Sequence, residues 1–264
     1  MKIQILQPKL IEILDYLYVD GLFPFSIIST KEGKLYSAQS DKEGFAFRFA
    51  TFLNDYFKHI TTEEESVQID IEKIKRFASL RKPESIITIE YPVENKLKIS
   101  SEHACNSLSV PKIDEKDIKK GLPFQMKPVD SKDAKSKKIP WIIKGTVPLD
   151  THVAISRSSF KTINDYASAH GTEFFKFIIG EDRKLQVRIG DIHAMDDFTL
   201  YEPSCQVYNV EGKLDVTFTK GIKELSKTFN RDVEIHLRSG MPAWFSEVSQ
   251  SHKFGVLISP IKGA

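Results

Sequence analysis

Apolar residues along the chain switch between a period of two and a period near 3.6, and the switches recur in one order. Alternation from Leu214 to Phe218 predicts a strand, Ile222, Leu225 and Phe229 follow at helical spacing, and Val233, Ile235 and Leu237 alternate again. The same order begins at Val67 and Ile69, continues through a helix marked by Ile71, Ile74 and Phe77 or Ala78, and is closed by Pro83. Ile87, Ile89 and Tyr91 then alternate, and a turn at Glu94-Asn95 leads to a strand with Leu97 and Ile99. A third copy has a helix with Phe160, Ile163 and Tyr166 or Ala167, capped by Gly171. Strands around Phe175 and Val187 follow, with Gly180 and Gly190 bracketing a hairpin. The fourth opens the chain: Ile3 and Ile5 alternate, Pro8 sits where a helix start tolerates it, and Leu10, Ile13, Leu14, Leu17 and Tyr18 form a stripe. After Gly21 come the strands FPFSIIST, KLYSAQS and FAFRFA. The pattern predicts an α+β protein of four β-α-β-β units.

The units fall in pairs around an aperiodic stretch. Residues 112–144 hold ten lysines against five acids, a net of +5 in a chain whose total is +2, so the remainder is −3. With its prolines, this stretch reads as an interdomain linker. The expected organisation is an N-terminal domain over 1–111, a linker over 112–148 and a C-terminal domain over 149–264. The KSKK run at 135–138 reads as a solvated loop.

At 264 residues and 41% hydrophobic, the chain can build two cores. It has no apolar run of about 18 residues, and its first residues carry acids and a proline instead of a signal-peptide core, so a soluble, intracellular protein is expected. Cys105 and Cys205 are too few for a disulfide framework and are expected to be buried or incidental thiols.

Catalytic constellations are sparse. Asp191, His193, Asp196 and Asp197 lie close together, and strand alternation would put Asp191 and His193 on one face, as a metal-dependent hydrolase would require; a polar turn is the simpler reading. His103 lies two residues from Cys105, but no partner acid is evident. No glycine-rich phosphate loop occurs. The expectation is a protein that is not an enzyme and holds no cofactor or metal. Phe45, Phe47 and Phe49 share one strand face and read as core residues in preference to base-stacking platforms.

Charge on the helices is more informative. The fourth carries Lys220, Lys223 and Lys227 on one face, the second Lys73 and Arg76, and the third Arg157 and Lys161. The first departs from this bias, with Lys9 set against Glu12 and Asp15.

The fourfold pattern, the length and linker position, and the C-terminal stretch DVEIHLRSGMPAWFSEVSQSHKFGVLISPI resemble a DNA sliding clamp of the proliferating-cell-nuclear-antigen type. This resemblance implies two clamp domains with helices on one inner face and antiparallel sheets on the other. It implies a polymerase processivity factor that encircles duplex DNA without sequence preference, as a homo- or heterotrimer placed by a clamp loader. A clamp-fold scaffold that never closes around DNA is the alternative. The basic helix residues would then face DNA. The strand holding Cys105, Ser107, Leu108 and Val110 would pair with the neighbour's strand holding Phe198 and Leu200. Polymerase and other replication and repair clients would dock short peptides of the glutamine-x-x-aliphatic-x-x-aromatic-aromatic type. Their site would use Pro242, Leu257, Ile258, Ser259 and Pro260, with Phe45, Phe47, Ile139, Pro140 and Trp141 nearby. The setting would be the cytoplasm of an archaeon, or a nucleus or viral replication site.

Overall fold

The computed structural model describes residues 1–93, 95–111, 113, 124–127, 139–142, 147–149, 151–172, 174–190, 198–202, 206–208, 214–219 and 221–260. The chain divides into two compact units. The first comprises Met1–Lys42, Arg48–Gly121 and Val248–Phe254; the second comprises Glu43–Phe47, Leu122–Glu247 and Gly255–Ala264.

Through the first unit run β1 (Lys2–Leu6), α1 (Gln7–Tyr18), β2 (Phe25–Lys31), β3 (Lys34–Ser40), β4 (Ala46–Phe52), β5 (His59–Ile60), β6 (Glu65–Asp70), α2 (Ile71–Ser79), β7 (Ile86–Val93), β8 (Lys96–Ser101) and β9 (Ala104–Ser109). Next come β10 (Phe124–Lys127), β11 (Ile139–Ile142) and β12 (Val147–Pro148). The second unit continues with β13 (Thr151–Ile155), α3 (Arg157–His170), β14 (Phe175–Ile179), β15 (Leu185–Ile189), β16 (Phe198–Glu202), β17 (Gln206–Tyr208), β18 (Leu214–Phe218), α4 (Ile222–Thr228), β19 (Val233–Leu237), β20 (Ala243–Val248) and β21 (His252–Ile258), while Ala46 and Phe47 of β4 belong to the second unit and His252–Phe254 of β21 to the first.

The β-α-β-β order holds in all four repeats, and further strands extend it. Within each unit the two repeats interlock: β1 pairs antiparallel with β7 and β2 with β6, as β13 pairs with β19 and β14 with β18. The strand orders β5-β1-β7-β8-β9 and β17-β13-β19-β20-β21 match position for position, as do β4-β3-β2-β6 and β16-β15-β14-β18. The stretch read as a linker contains its own antiparallel sheet, in the order β10-β11-β12. Its strands are two to four residues long, too short to leave a periodicity in the sequence.

Local chemistry sets the helix ends. Pro8 stands in the first turn of α1, the Asp70 carboxylate accepts from Lys73 N at 3.0 Å, and Ser156 Oγ accepts from Ser159 N at 3.1 Å. Gly171 closes α3 at φ 65°. At the start of α4, Gly221 N–H donates to Glu224 Oε2 at 3.0 Å.

The apolar stripes bury as expected, with one local difference in α1 and one choice settled in α3. In α1 Tyr16 is fully buried, whereas Tyr18, which the stripe predicts inside, turns its hydroxyl to Glu72 on α2 at 2.7 Å. In α3 Ala167 is buried and Tyr166 exposed. The first unit's core is largely aliphatic, built on Ile5, Leu14, Ile74, Ile87 and Leu97. The second is aromatic, with Phe160, Phe177, Phe218, Phe229 and Phe245 meeting at ring distances of 5.7–6.2 Å.

One buried cation organises the first unit. Arg48 on β4 is 0% exposed, and its guanidinium donates to Ser26 Oγ (2.8 Å), Ser37 Oγ (2.6 Å) and the Leu17 carbonyl, 4.6 Å from the Phe23 ring centre. Burial pushes it down to about 9, so it remains charged at neutral pH.

In the second unit Gly255 lies under Trp244: a Cβ there would meet the indole ring at 2.2 and 2.4 Å. The Gly255→Ala variant is expected to lose about 1–3 kcal/mol through overpacking. Urea unfolding followed by tryptophan fluorescence measures that loss.

Candidate functional site

Three surfaces carry the residues singled out in the sequence: helix faces, sheet edges, and one patch on the strands at β4 and β21.

On the helices of the first unit, the cations have partners. Lys73 Nζ lies 3.0 Å from Asp70, Arg76 lies 4.0 Å from Glu72, Lys9 lies 3.2 Å from Glu12, and Lys75 reaches across from α2 to Asp15 on α1 at 2.5 Å. Each of these pairs is solvent-accessible and therefore weak, so a competing anion can displace it. On the second unit Arg157 and Lys161 are exposed on α3, with the Arg157 guanidinium 3.4 Å from Asn230 Oδ1. Lys223 is half-buried and Lys227 exposed on α4. Lys220 lies outside the described residues.

Two edges belong to opposite ends of the topology. β9 closes the sheet β5-β1-β7-β8-β9, and β16 closes β16-β15-β14-β18. Their counterparts in the other unit, β21 and β4, already have neighbours: Leu53 N donates to Ser251 O in the first unit, and Ser259 N donates to Phe45 O in the second, both at 2.8 Å. On β9, Val110 N donates inward to Asn95 O at 3.0 Å. Strand alternation therefore aims the amides of Leu108 and Asn106 at β8 and those of Cys105, Ser107 and Ser109 at the open edge. Of the two expectations for its thiol, buried or incidental, the first does not hold: Cys105 is exposed, because it sits on this edge. Phe198 and Leu200 lie on β16, paired with Ile189 and Val187.

The third surface differs from its sequence reading. Phe45, Phe47 and Phe49, expected in the core, are half-buried on the opposite face of the strand, while Ala46, Arg48 and Ala50 turn inward. Alternation fixes which residues share a face without saying which face is inside, and the bonds to Arg48 decide it. Leu257 is half-buried, whereas Ile258 is 0% exposed and touches Gly221, where an added Cβ would meet Ile258 Cδ1 at 2.4 Å. Ile258 is thus core and not a docking residue. The Ser259–Phe45 bond within the second unit sets Leu257 opposite Phe47, two residues along each antiparallel strand. Ser259 is exposed, and Pro260 and Pro242 are half-buried. Phe45, Phe47, Leu257, Ser259 and Pro260 therefore lie together within the second unit. Ile139, Pro140 and Trp141 form β11, where Pro140 pairs with Met126 and Trp141 with Gln125 and Pro148.

Of the catalytic candidates, His103 and Cys105 lie among the described residues. His103 stands in the β8–β9 turn with its side chain 85% exposed, 3.7 Å from Glu102. Asp191, His193, Asp196, Asp197 and Cys205 lie outside the described residues. Sequence reasoning missed Leu80 and Ile86, which are 77% and 47% exposed and line a surface depression of about 670 Å³ beside the β8–β9 turn. Leu80 falls outside the Ile71, Ile74, Phe77 and Ala78 stripe, and that phase mismatch was the available signal.

Comparison with known proteins finds no matching family model and no matching curated sequence. Solved structures do match, over nearly the entire length. PCNA of Entamoeba histolytica superposes with a TM-score of 0.74 at 10% identity, covering 98% of each chain. A. fulgidus PCNA, in a structure with the C-terminal region of FEN-1, gives 0.73 at 14% identity, covering 100% of this chain and 99% of that one. The chain has the PCNA-type sliding-clamp fold. A PCNA2–PCNA3 complex from Sulfolobus tokodaii also matches, at 0.70 and 14% identity over 98% and 99% of the two chains. At 10–14% identity the likeness is one of fold and not of individual residues.

Within this clamp fold, Leu257→Asp is expected to change stability by less than about 1 kcal/mol, since the side chain is half-exposed. Ile258→Asp would place an unpaired charge in the core and cost several kcal/mol. Parallel urea titrations of the two variants distinguish surface from core.

Proposed function

We propose that the chain is a DNA sliding clamp, a non-catalytic processivity factor that assembles edge to edge around duplex DNA and tethers client enzymes through short peptides. The observation that carries this reading is that β9 and β16 each end a sheet among the described residues, on two units of identical strand order. Pairing them between chains would remove exposed strand edges. Exposed Leu80 and Ile86 would add apolar area near the seam.

Client peptides would dock on Phe45, Phe47, Leu257 and Pro260, an apolar patch of the second unit with the few anchors such recognition needs, and Pro242 is a further candidate anchor. An affinity in the micromolar range, about 8 kcal/mol, is expected. DNA would run past Lys161, Lys223, Lys227, Lys73 and Arg76, held by phosphate attraction without base readout. A clamp loader would place the ring, inside the cell where replication and repair enzymes work. The charge pairing on α1 and α2 favours the second reading, a clamp-fold scaffold that does not encircle DNA.

Light scattering across a concentration series is expected to give a mass near three chains. The Ser107→Pro variant removes an outward-facing amide and leaves the β8–β9 bonds intact, so it should give folded monomer; an unchanged mass would remove β9 from the interface. For DNA, reversing Lys223 and Lys227 together should flatten the log-log salt dependence of binding by roughly two units. An unaltered slope would favour the scaffold reading.

A further inference from the structure

We propose that His152, Glu234 and His236 form a binding site for a divalent transition metal of the zinc class, on the face of the second unit's β13–β19 pair that points away from its helices. His152 on β13 stands directly opposite His236 on β19, and Glu234 precedes His236 by two residues on the same strand. Alternation places all three on one face. The opposite face is fixed by Ile235, which pairs with Phe245 in the aromatic core beneath α3. One ligand atom from each of the three side chains lies within 4.8 Å of the others.

The imidazoles are stacked, with centroids 4.5 Å apart and planes within 8°, so their in-plane lone pairs do not yet converge and one ring must turn out of the stack to share an ion. One further observation points to a ligand. His236 is 5% exposed, and its Nδ1 is buried with no hydrogen-bond partner. A buried ring nitrogen with a lone pair or proton unmatched is a cost to the fold that a metal bond would remove. Two imidazoles and one carboxylate suit zinc and its transition-metal neighbours, whereas calcium and magnesium prefer oxygen donors throughout. Three protein ligands would leave a fourth position for water. Tetrahedral coordination needs donors roughly 3.3 Å apart, so the set must contract. Glu234 is exposed and free to swing inward from the rim. A bound ion would clip β13 to β19 and stabilise the second unit by linkage, because the unfolded chain offers no preformed site.

The test uses the full chain, stripped with a chelator and then supplied with zinc chloride. One equivalent of zinc per chain should be retained through dialysis, and the thermal midpoint should rise relative to the stripped protein. Cobalt(II) in place of zinc should give visible ligand-field absorption characteristic of low coordination number. Glu234→Gln changes only an exposed side chain and should weaken zinc binding at least tenfold; His152→Asn should abolish the cobalt spectrum. The midpoint of each stripped variant reports whether it still folds. Failure of the wild-type chain to retain zinc would overturn the site. So would binding that persists unchanged in both variants, which would assign the metal to exposed histidines such as His103.

Discussion

The fully buried guanidinium of Arg48 fixes which way β4 faces, and the candidate docking surface depends on that choice. Its donors engage β2 through Ser26, β3 through Ser37 and the end of α1 through Leu17. A charge this deep is tolerated only where hydrogen bonds replace water. Because strand side chains alternate, pinning Arg48 inward forces Phe47 and Phe49 to the other side. A slip of one residue would bury the phenylalanines and expose the arginine, and three separate bonds to distant segments oppose it.

Much of the architecture was legible in the sequence because helical stripes and strand alternation are local signals. Ile71, Ile74 and Ala78, or Phe160, Ile163 and Ala167, mark their helices without help from the rest of the chain. Which face of a strand is inside is a tertiary fact. Phe45 and Phe47 look like core residues by hydrophobicity and Ala46 and Ala50 look dispensable, yet it is the two alanines that are buried. Leu257 and Ile258 pose the same ambiguity as neighbours of equal hydrophobicity, resolved by the space Gly221 leaves for Ile258.

The charge on the helices was legible as composition but not as electrostatics. Lys75 and Asp15 are sixty residues apart in sequence, yet they form one ion pair because α1 and α2 lie side by side. The first unit's helix surface is consequently closer to neutral than α2 alone suggests, and any positive potential rests more on α3 and α4. The histidine pair at His152 and His236 was invisible for a similar reason: it is a cross-strand contact between repeats, with no spacing in the sequence to announce it.

β9 and β16 are different strands, each ending its own sheet among the described residues, and this has a consequence for any assembly built through them. Such a contact is head-to-tail, so each copy that joins presents the same unsatisfied edge it has just covered on its neighbour. Association of this kind has no natural dimer. It stops only if rotation from copy to copy brings the last edge back to the first, and otherwise continues as a filament. Ring size would then be a property of angle and not of affinity.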